Sequence, residues 1–286
     1  MRDTKIAGLE KMAAGVRYDI LNMLLKCGAG HLGGSFSIVE LLCVLYGSQM
    51  NHDPANPDWS GRDYLVLSKG HAGPALYATL AHQGYFAHDQ LDTLNCGGTD
   101  FPSHPDRLKT IGVDVTTGSL GQGTSQAAGV AYGLKLAKRD NHVYLIVGDG
   151  ELNEGQCWEA FQFIAHYRLD NLVVIIDDNK KQLDGYTQDV MNPFDIAKKM
   201  EAFGFYTMKV KGDDLEAIDL AVSYLRRVGS TAKCIVLDTV KGQGIGYFEE
   251  LMDNHSVKFD SQENQKAAKA ALDELEKLMN REAENV

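Results

Sequence analysis

Apolar residues near the N-terminus recur with a helical period. Ile6, Leu9, Ala13, Val16, Ile20, Met23 and Leu24 share one broad face. This predicts a helix over 4–26, ended by Cys27-Gly28-Ala29-Gly30. Further along, the runs become short, aliphatic and β-branched. Tyr64–Leu67, His142–Val147, Leu172–Ile176, Tyr206–Val210 and Ala232–Leu237 each suit a short buried strand. Helical patterns lie between them: Ala75–Gln83, Thr124–Ala137, and a stretch with Leu152, Trp158, Phe161, Ile164 and Ala165. Another runs from Asn192 to about Phe203, and a last one from Asp213 to Arg227, with Leu215, Ile218, Ala221, Val222 and Leu225 on one face. Ser37 suits the N-cap of a helix, with Glu40 at the capping-box position. The tail 260–286 is helical and charged, a solvated or docking helix. Strands and helices alternate without a repeat or linker, so the expectation is one α/β domain over 1–286.

Composition changes this picture little. At 286 residues, 44% hydrophobic and 23% charged, the chain is ordinary for a soluble globular protein. A net charge of −11 argues against nonspecific nucleic-acid binding, whose affinity comes from basic residues neutralising phosphates. Cys27, Cys43, Cys96, Cys157 and Cys234 are scattered and form no Cys-x-x-Cys pair. A disulfide framework or structural zinc site is therefore not expected, and free thiols fit a cytoplasmic protein. The N-terminus mixes charges throughout and does not read as a secretory signal. No run approaches about eighteen apolar residues, so no membrane span is expected.

Candidate chemistry gathers at the ends of the expected strands. The run His142–Val147 stops at Gly148-Asp149-Gly150, and Leu172–Ile176 stops at Asp177-Asp178-Asn179. In open α/β sheets the ligand lies outside the carboxyl ends of the strands. Asp149 and Asn179 offer two hard oxygen ligands of the kind Mg²⁺ or Ca²⁺ takes, and Mg²⁺ usually shares its shell with phosphate oxygens. Glycines on both sides of Asp149 let backbone approach a phosphate. A diphosphate with its metal fits these residues; so does an ordinary βαβ unit with Asp-Gly turn chemistry.

Histidines recur in the remaining loops. His31 sits in His31-Leu32-Gly33-Gly34-Ser35, His71 in Ser68-Lys69-Gly70-His71, His104 in Pro102-Ser103-His104-Pro105. A helix follows Gly73-Pro74, and its N-terminus favours anions, with Lys69 or His71 to assist. His255 ends the glycine-rich segment Gly242–Gly246 and its continuation. Taken singly, each histidine also fits a plain exposed loop. Gly118-Ser119-Leu120-Gly121-Gln122-Gly123 lacks the G-x-G-x-x-G spacing and the P-loop ending, and suits a loop that opens the next helix.

Together these segments carry a resemblance. Gly148-Asp149-Gly150 followed by Asp178-Asn179 resembles the thiamine diphosphate motif. GDGELNEGQCWEA with LDNLVVIIDDNKKQLDG resembles transketolases, most closely the N-terminal subunit of split transketolases. GHLGGSFS, DYLVLSKGHAGPALYATLA, PSHPD and GVDVTTGSLGQG are similar to transketolase segments in the family's order. Leu32, which split subunits tend to carry, stands where single-chain members have proline, and Lys69 stands at a variable position.

The resemblance implies a thiamine diphosphate-binding α/β domain with a mostly parallel central sheet and helices on both faces. It implies that His31 contacts the donor sugar, that His71 lies against diphosphate and substrate, and that His104 contacts substrate hydroxyls. His255 would sit near substrate and cofactor. Gly118, Ser119 and Leu120 would offer backbone atoms to the aminopyrimidine side. Asp149, Asn179 and the carbonyl of Lys181 would hold Mg²⁺, with Ca²⁺ also possible; Gly150 would meet the diphosphate. Glu154 would join a hydrogen-bond network between subunits. The match covers this chain but about the first half of a full transketolase. The glutamate that activates the cofactor and the arginines that grip sugar phosphates belong to the other half. The chain is thus expected to need a C-terminal partner subunit carrying the pyrimidine-binding domain, as a heterotetramer with two of each. The expected reaction moves a two-carbon ketol unit between sugar phosphates. Alternatives are a paralogue acting on an unusual sugar, a 1-deoxyxylulose-5-phosphate synthase-like enzyme, a dehydrogenase E1 α-type subunit, and a non-catalytic scaffold that has kept the fold.

Overall fold

Five apolar runs pair edge to edge into one parallel sheet. The computed structural model describes residues 2–280. Its strands are β1 (Ala29–Gly30), β2 (Tyr64–Leu67), β3 (Val143–Gly148), β4 (Leu172–Asp178), β5 (Lys181–Gln182), β6 (Gly185–Tyr186), β7 (Phe205–Lys211), β8 (Ala232–Asp238) and β9 (Val257–Lys258). The central sheet has the order β2-β3-β4-β8-β7, and every neighbouring pair is parallel. Two small antiparallel pairs, β1 with β9 and β5 with β6, lie outside it.

The helices are α1 (Arg2–Cys27), α2 (Gly33–Phe36), α3 (Val39–Val44), α4 (Gly73–His82), α5 (Gln122–Leu136), α6 (Gly155–His166), α7 (Thr187–Met191), α8 (Ile196–Ala202), α9 (Leu215–Arg227), α10 (Gly246–Glu250) and α11 (Gln262–Asn280). Successive strand side chains point to opposite faces, and the sheet is apolar on both. Tyr144, Ile146, Val173, Ile175, Ile235 and Leu237 pack with Ile20 of α1, Leu41 of α3, Tyr77 of α4 and Ile218 of α9. Val143, Leu145, Val147, Val174, Ile176 and Val236 pack with Ala127 of α5, Phe161 of α6 and Met200 of α8. Helices therefore cover both faces, as a parallel sheet requires.

Several expected boundaries move for identifiable reasons. Ser37 is no N-cap: it follows α2, and its hydroxyl donates to Asp177 Oδ2 at 2.8 Å. Glu40, the expected capping partner, instead binds Arg17 at 2.7 Å. Leu152 falls in a separate 3₁₀ turn, Gly150–Asn153, ahead of α6. The helix expected from Asn192 starts at Ile196, because Phe194 has φ of 53° and the Asp195 carboxylate caps Lys198 N at 3.1 Å. In the C-terminal tail, Ala268, Ala271 and Leu275 of α11 are buried, and the helix packs on α1. Residues 281–286 of that tail lie outside the described residues. No described helix is long and apolar enough to cross a membrane.

Candidate active site

Four loops meet where β2, β3, β4 and β8 end, and a cavity of about 380 Å³ opens among them. Its floor is built by backbone that turns back on itself. Asp149 directly follows β3 and is buried. Its Oδ1 accepts from Gly150 N at 2.8 Å and its Oδ2 from Lys180 N at 2.7 Å. Lys180, with φ of 68°, brings the chain after β4 over this carboxylate. Asn179 is buried beside it; its Nδ2 donates to Asp177 Oδ2 at 2.8 Å and its Oδ1 accepts from Lys181 N at 3.1 Å. Burial pushes the Asp149 carboxyl up to about 7, and the charge of Asp177 adds to the effect. A cation beside Asp149 would reverse that shift.

The walls carry the histidines. His31 lies centrally, its ring centroid 5.6 Å from His71, 5.7 Å from His104 and 5.3 Å from His255; His71 and His255 are 4.9 Å apart. Burial is the first cause that lowers all four pKa values. The charge of Lys69 pushes His71 further down, and burial together with the charge of Lys241 brings His255 down to about 3. These shifts favour the neutral rings, which can donate or accept without carrying charge.

The His31 loop reaches this position through Gly33. Its N donates to Asn254 O at 2.9 Å and its carbonyl accepts from Gly242 N at 3.0 Å. A Cβ on Gly33 would lie 2.4 Å from Asn254 O, so only glycine permits the contact.

Almost every residue singled out in the sequence lines this cavity: His31, His71, His104, Gly118, Leu120, Asp149, Gly150, Glu154, Asn179, Lys181 and His255. Ser119 is not among the lining residues; Glu154 is exposed at the rim.

Two buried residues, Lys241 and Glu151, went unread, and Asp177 was read only as part of a strand end. Lys241 follows β8; its Nζ donates to the Lys181 carbonyl at 3.2 Å and lies 3.1 Å from His255 Nδ1. Burial lowers it to about 8. Its place after a strand end, like that of Asp149, was the available signal. Glu151 accepts from Ser68 Oγ at 2.5 Å, Gly121 N at 2.8 Å and Gly148 N at 3.1 Å, clamping three loops together. Asp177 lies beneath Asn179 and binds Lys69. Lys69, read as an anion-assisting cation, turns inward to that pair.

The donors fit a metal-bound anion. Asp149, Asn179 and the Lys181 carbonyl are hard oxygen donors, and Lys241 supplies a buried positive charge beside them. In a parallel α/β sheet the ligand lies beyond the carboxyl ends of the strands, where this set stands, which makes the fold that of a ligand-binding α/β domain. The family model "Transketolase, thiamine diphosphate binding domain" matches residues 9–276. A 6-deoxy-6-sulfo-D-fructose transketolase subunit from Clostridium sp. (strain MSTE9) is 46% identical over 270 residues, 94% of this chain and 96% of that one. An apulose-4-phosphate transketolase subunit from Phocaeicola vulgatus is 33% identical over 274 residues, 96% and 97% of the two chains. The transketolase structure from Campylobacter jejuni superposes with a TM-score of 0.86 at 31% identity, over 93% of this chain and 42% of that one. This chain thus spans less than half the length of that solved transketolase. The chain belongs to the transketolase family, as its thiamine diphosphate-binding domain.

Proposed function

We propose that this chain is the diphosphate- and metal-binding subunit of a two-chain transketolase, active only with a partner that carries the pyrimidine-binding domain. The observation that carries the reading is that Asp149, Asn179 and Lys181 line one cavity with His31, His71, His104 and His255. The relatives named as subunits match along nearly their whole length, which supports a two-chain enzyme. The proposed assembly has two copies of each chain.

In this reading Asp149, Asn179 and the Lys181 carbonyl hold Mg²⁺. Lys241, whose ammonium donates to the Lys181 carbonyl, would supply positive charge to the diphosphate. Thiamine diphosphate, when bound, supplies a nucleophilic carbon and an electron sink for carbon–carbon cleavage. His31 and His255 direct ring N–H groups at the ketose carbonyl oxygen, where negative charge develops. His71 and His104 would hold neighbouring hydroxyls through their neutral rings, each able to donate or accept a hydrogen bond. The carboxylate that activates the cofactor is the partner's contribution, as are the groups that grip the sugar phosphate.

The test is ketol transfer from xylulose 5-phosphate to ribose 5-phosphate with thiamine diphosphate and Mg²⁺. The chain is assayed by itself and then mixed with its partner. Transfer only in the mixture, abolished by Asp149→Ala, is expected; transfer by the chain without a partner would overturn the two-chain reading. A less common ketose is a second reading, favoured by relatives named for 6-deoxy-6-sulfo-D-fructose and apulose 4-phosphate. Those two sugars belong in the same assay as donors, and the preferred donor decides between the readings.

A further inference from the structure

Away from the cavity, one aspartate and two histidines converge where α1, α4 and the 3₁₀ helix His88–Thr93 meet. Asp19 projects from α1, His82 ends α4, and His88 opens the 3₁₀ helix. Asp19 Oδ2 lies 2.7 Å from His88 Nδ1 and 3.1 Å from His82 Nε2. One ligand atom from each of the three lies within 4.8 Å of the others. We propose that Asp19, His82 and His88 form a divalent-metal site of the zinc class, distinct from the oxygen site beneath the cavity.

Two observations besides proximity support the site. His82 Nε2 is sealed from solvent and has no hydrogen-bond partner, although Asp19 is near. Its approach to Asp19 is thus close in distance but misdirected for a hydrogen bond, and a buried ring nitrogen without a partner is costly. An ion between the groups gives that nitrogen a ligand role. The second observation is Gly15, one turn before Asp19 in α1. A Cβ there would lie 2.5 Å from His82 Cε1 and 3.0 Å from Nε2. Glycine inside a helix costs about 1 kcal/mol against alanine, and here it makes room for the imidazole to lie against α1.

The donor set selects the ion. Two imidazoles and a carboxylate suit Zn²⁺, Co²⁺ or Ni²⁺, whereas Mg²⁺ prefers oxygen ligands in an octahedron. Zn–N and Zn–O bonds run to about 2.0–2.2 Å, so modest side-chain movement closes the site. Three protein ligands leave a fourth position for water. His88 is half-exposed, which provides an entry path. A bound ion would fasten the His88–Thr93 turn to α1 and α4, beside the Lys26–Asp92 ion pair that joins α1 to the same turn at 2.7 Å.

The experiment uses the full chain, stripped with a chelator and then supplied with Mg²⁺ and thiamine diphosphate so that the other site is filled. Zn²⁺ is titrated against a chromogenic chelator, and Co²⁺ is followed by its visible absorption. One equivalent is expected for the wild type, with a Tm that rises with Zn²⁺ concentration as linkage requires. His88→Ala should lose both while keeping the wild-type Tm in chelator, because its side chain is half-exposed. Asp19→Ala should lose the same equivalent. If His88→Ala retains the equivalent and the Tm rise, the ion binds elsewhere, for example among the four cavity histidines, and the proposal fails. Absence of a Zn²⁺ equivalent in the wild type overturns it as well.

Discussion

The ammonium of Lys69 lies 2.5 Å from Asp177 Oδ2, and both side chains are fully buried. The ammonium also donates to Gly34 O at 2.7 Å and Ser37 Oγ at 3.2 Å. The carboxylate accepts from Ser37, Asn179 and Thr239 as well. Burial alone would raise the Asp177 pKa, but Lys69 and these donors outweigh it and hold the group below its ordinary value. The pair joins the end of β2, the His31 loop and the end of β4, and it orients Asn179 from below. Asn179 then presents Oδ1 on the side of Lys181 N.

Removing one partner of a buried pair leaves a charge without compensation. Lys69→Met should therefore destabilise the chain by about 3–5 kcal/mol. The double variant Lys69→Met/Asp177→Asn should regain part of that loss. Urea unfolding of the wild type and the variants checks this. A single variant as stable as the wild type would show that the pair is energetically neutral.

Asp149→Asn keeps an acceptor for Lys180 N and removes the charge from the proposed metal site. Partners behind metal ligands alone contribute about 10–100-fold to affinity, so loss of a ligand's charge should weaken Mg²⁺-dependent thiamine diphosphate binding by at least about a hundredfold. In the unliganded chain the relief of a buried carboxylate is offset by the Asn amide nitrogen, which faces one of the two backbone donors, Gly150 N or Lys180 N, so stability should change little. Calorimetric titration and urea unfolding give the two readouts. Undiminished binding would remove Asp149 from the metal site.

His255 supplies a pH signature. Its folded-state pKa is lowered from 6.5 to about 3, by burial first and then by Lys241. Below 6.5 the unfolded chain takes up a proton that the folded chain resists. The stability held by the neutral ring is thus complete above 6.5 and is lost as pH falls from 6.5 towards 3. Asp149, raised to about 7, acts in the opposite direction, so total stability is a poor reporter and a difference is needed. Stability of the wild type minus that of His255→Asn should be greatest near about pH 7.5 and shrink by about pH 5. A difference that stays flat would mean that the ring titrates normally.

Gly33→Ala tests the loop contact. The added Cβ would meet the Asn254 carbonyl, which belongs to backbone and cannot swing aside. Overpacking of this kind costs about 1–3 kcal/mol. The His255 segment should move away from His31, weakening cofactor binding along with stability. The thermal midpoint and cofactor titration measure both; an unchanged midpoint would show that the loops part without cost.

Much of the molecule was legible along the chain. Strands buried on both faces are short apolar runs, and amphipathic helices show one apolar stripe, so local pattern located the elements of the sheet and most of its covering layers. Strand ends such as Gly148-Asp149-Gly150 and Asp177-Asp178-Asn179 could be read as ligand positions, because in a parallel sheet all such ends lie on one edge. Long-range pairing could not be read. Ser37 has the spacing of a helix cap, yet its hydroxyl binds Asp177, 140 residues away; Glu40 has the spacing of a capping partner, yet it neutralises Arg17. Lys241 and Glu151 look like ordinary charged residues until the fold buries them among strand ends, where a charge must find a partner. Sequence alone thus determined which residues stand at the sheet's carboxyl edge. Tertiary structure decided which of them face one another, because partner choice for a buried polar group depends on what the fold brings within about 3 Å, and separation along the chain carries no record of that.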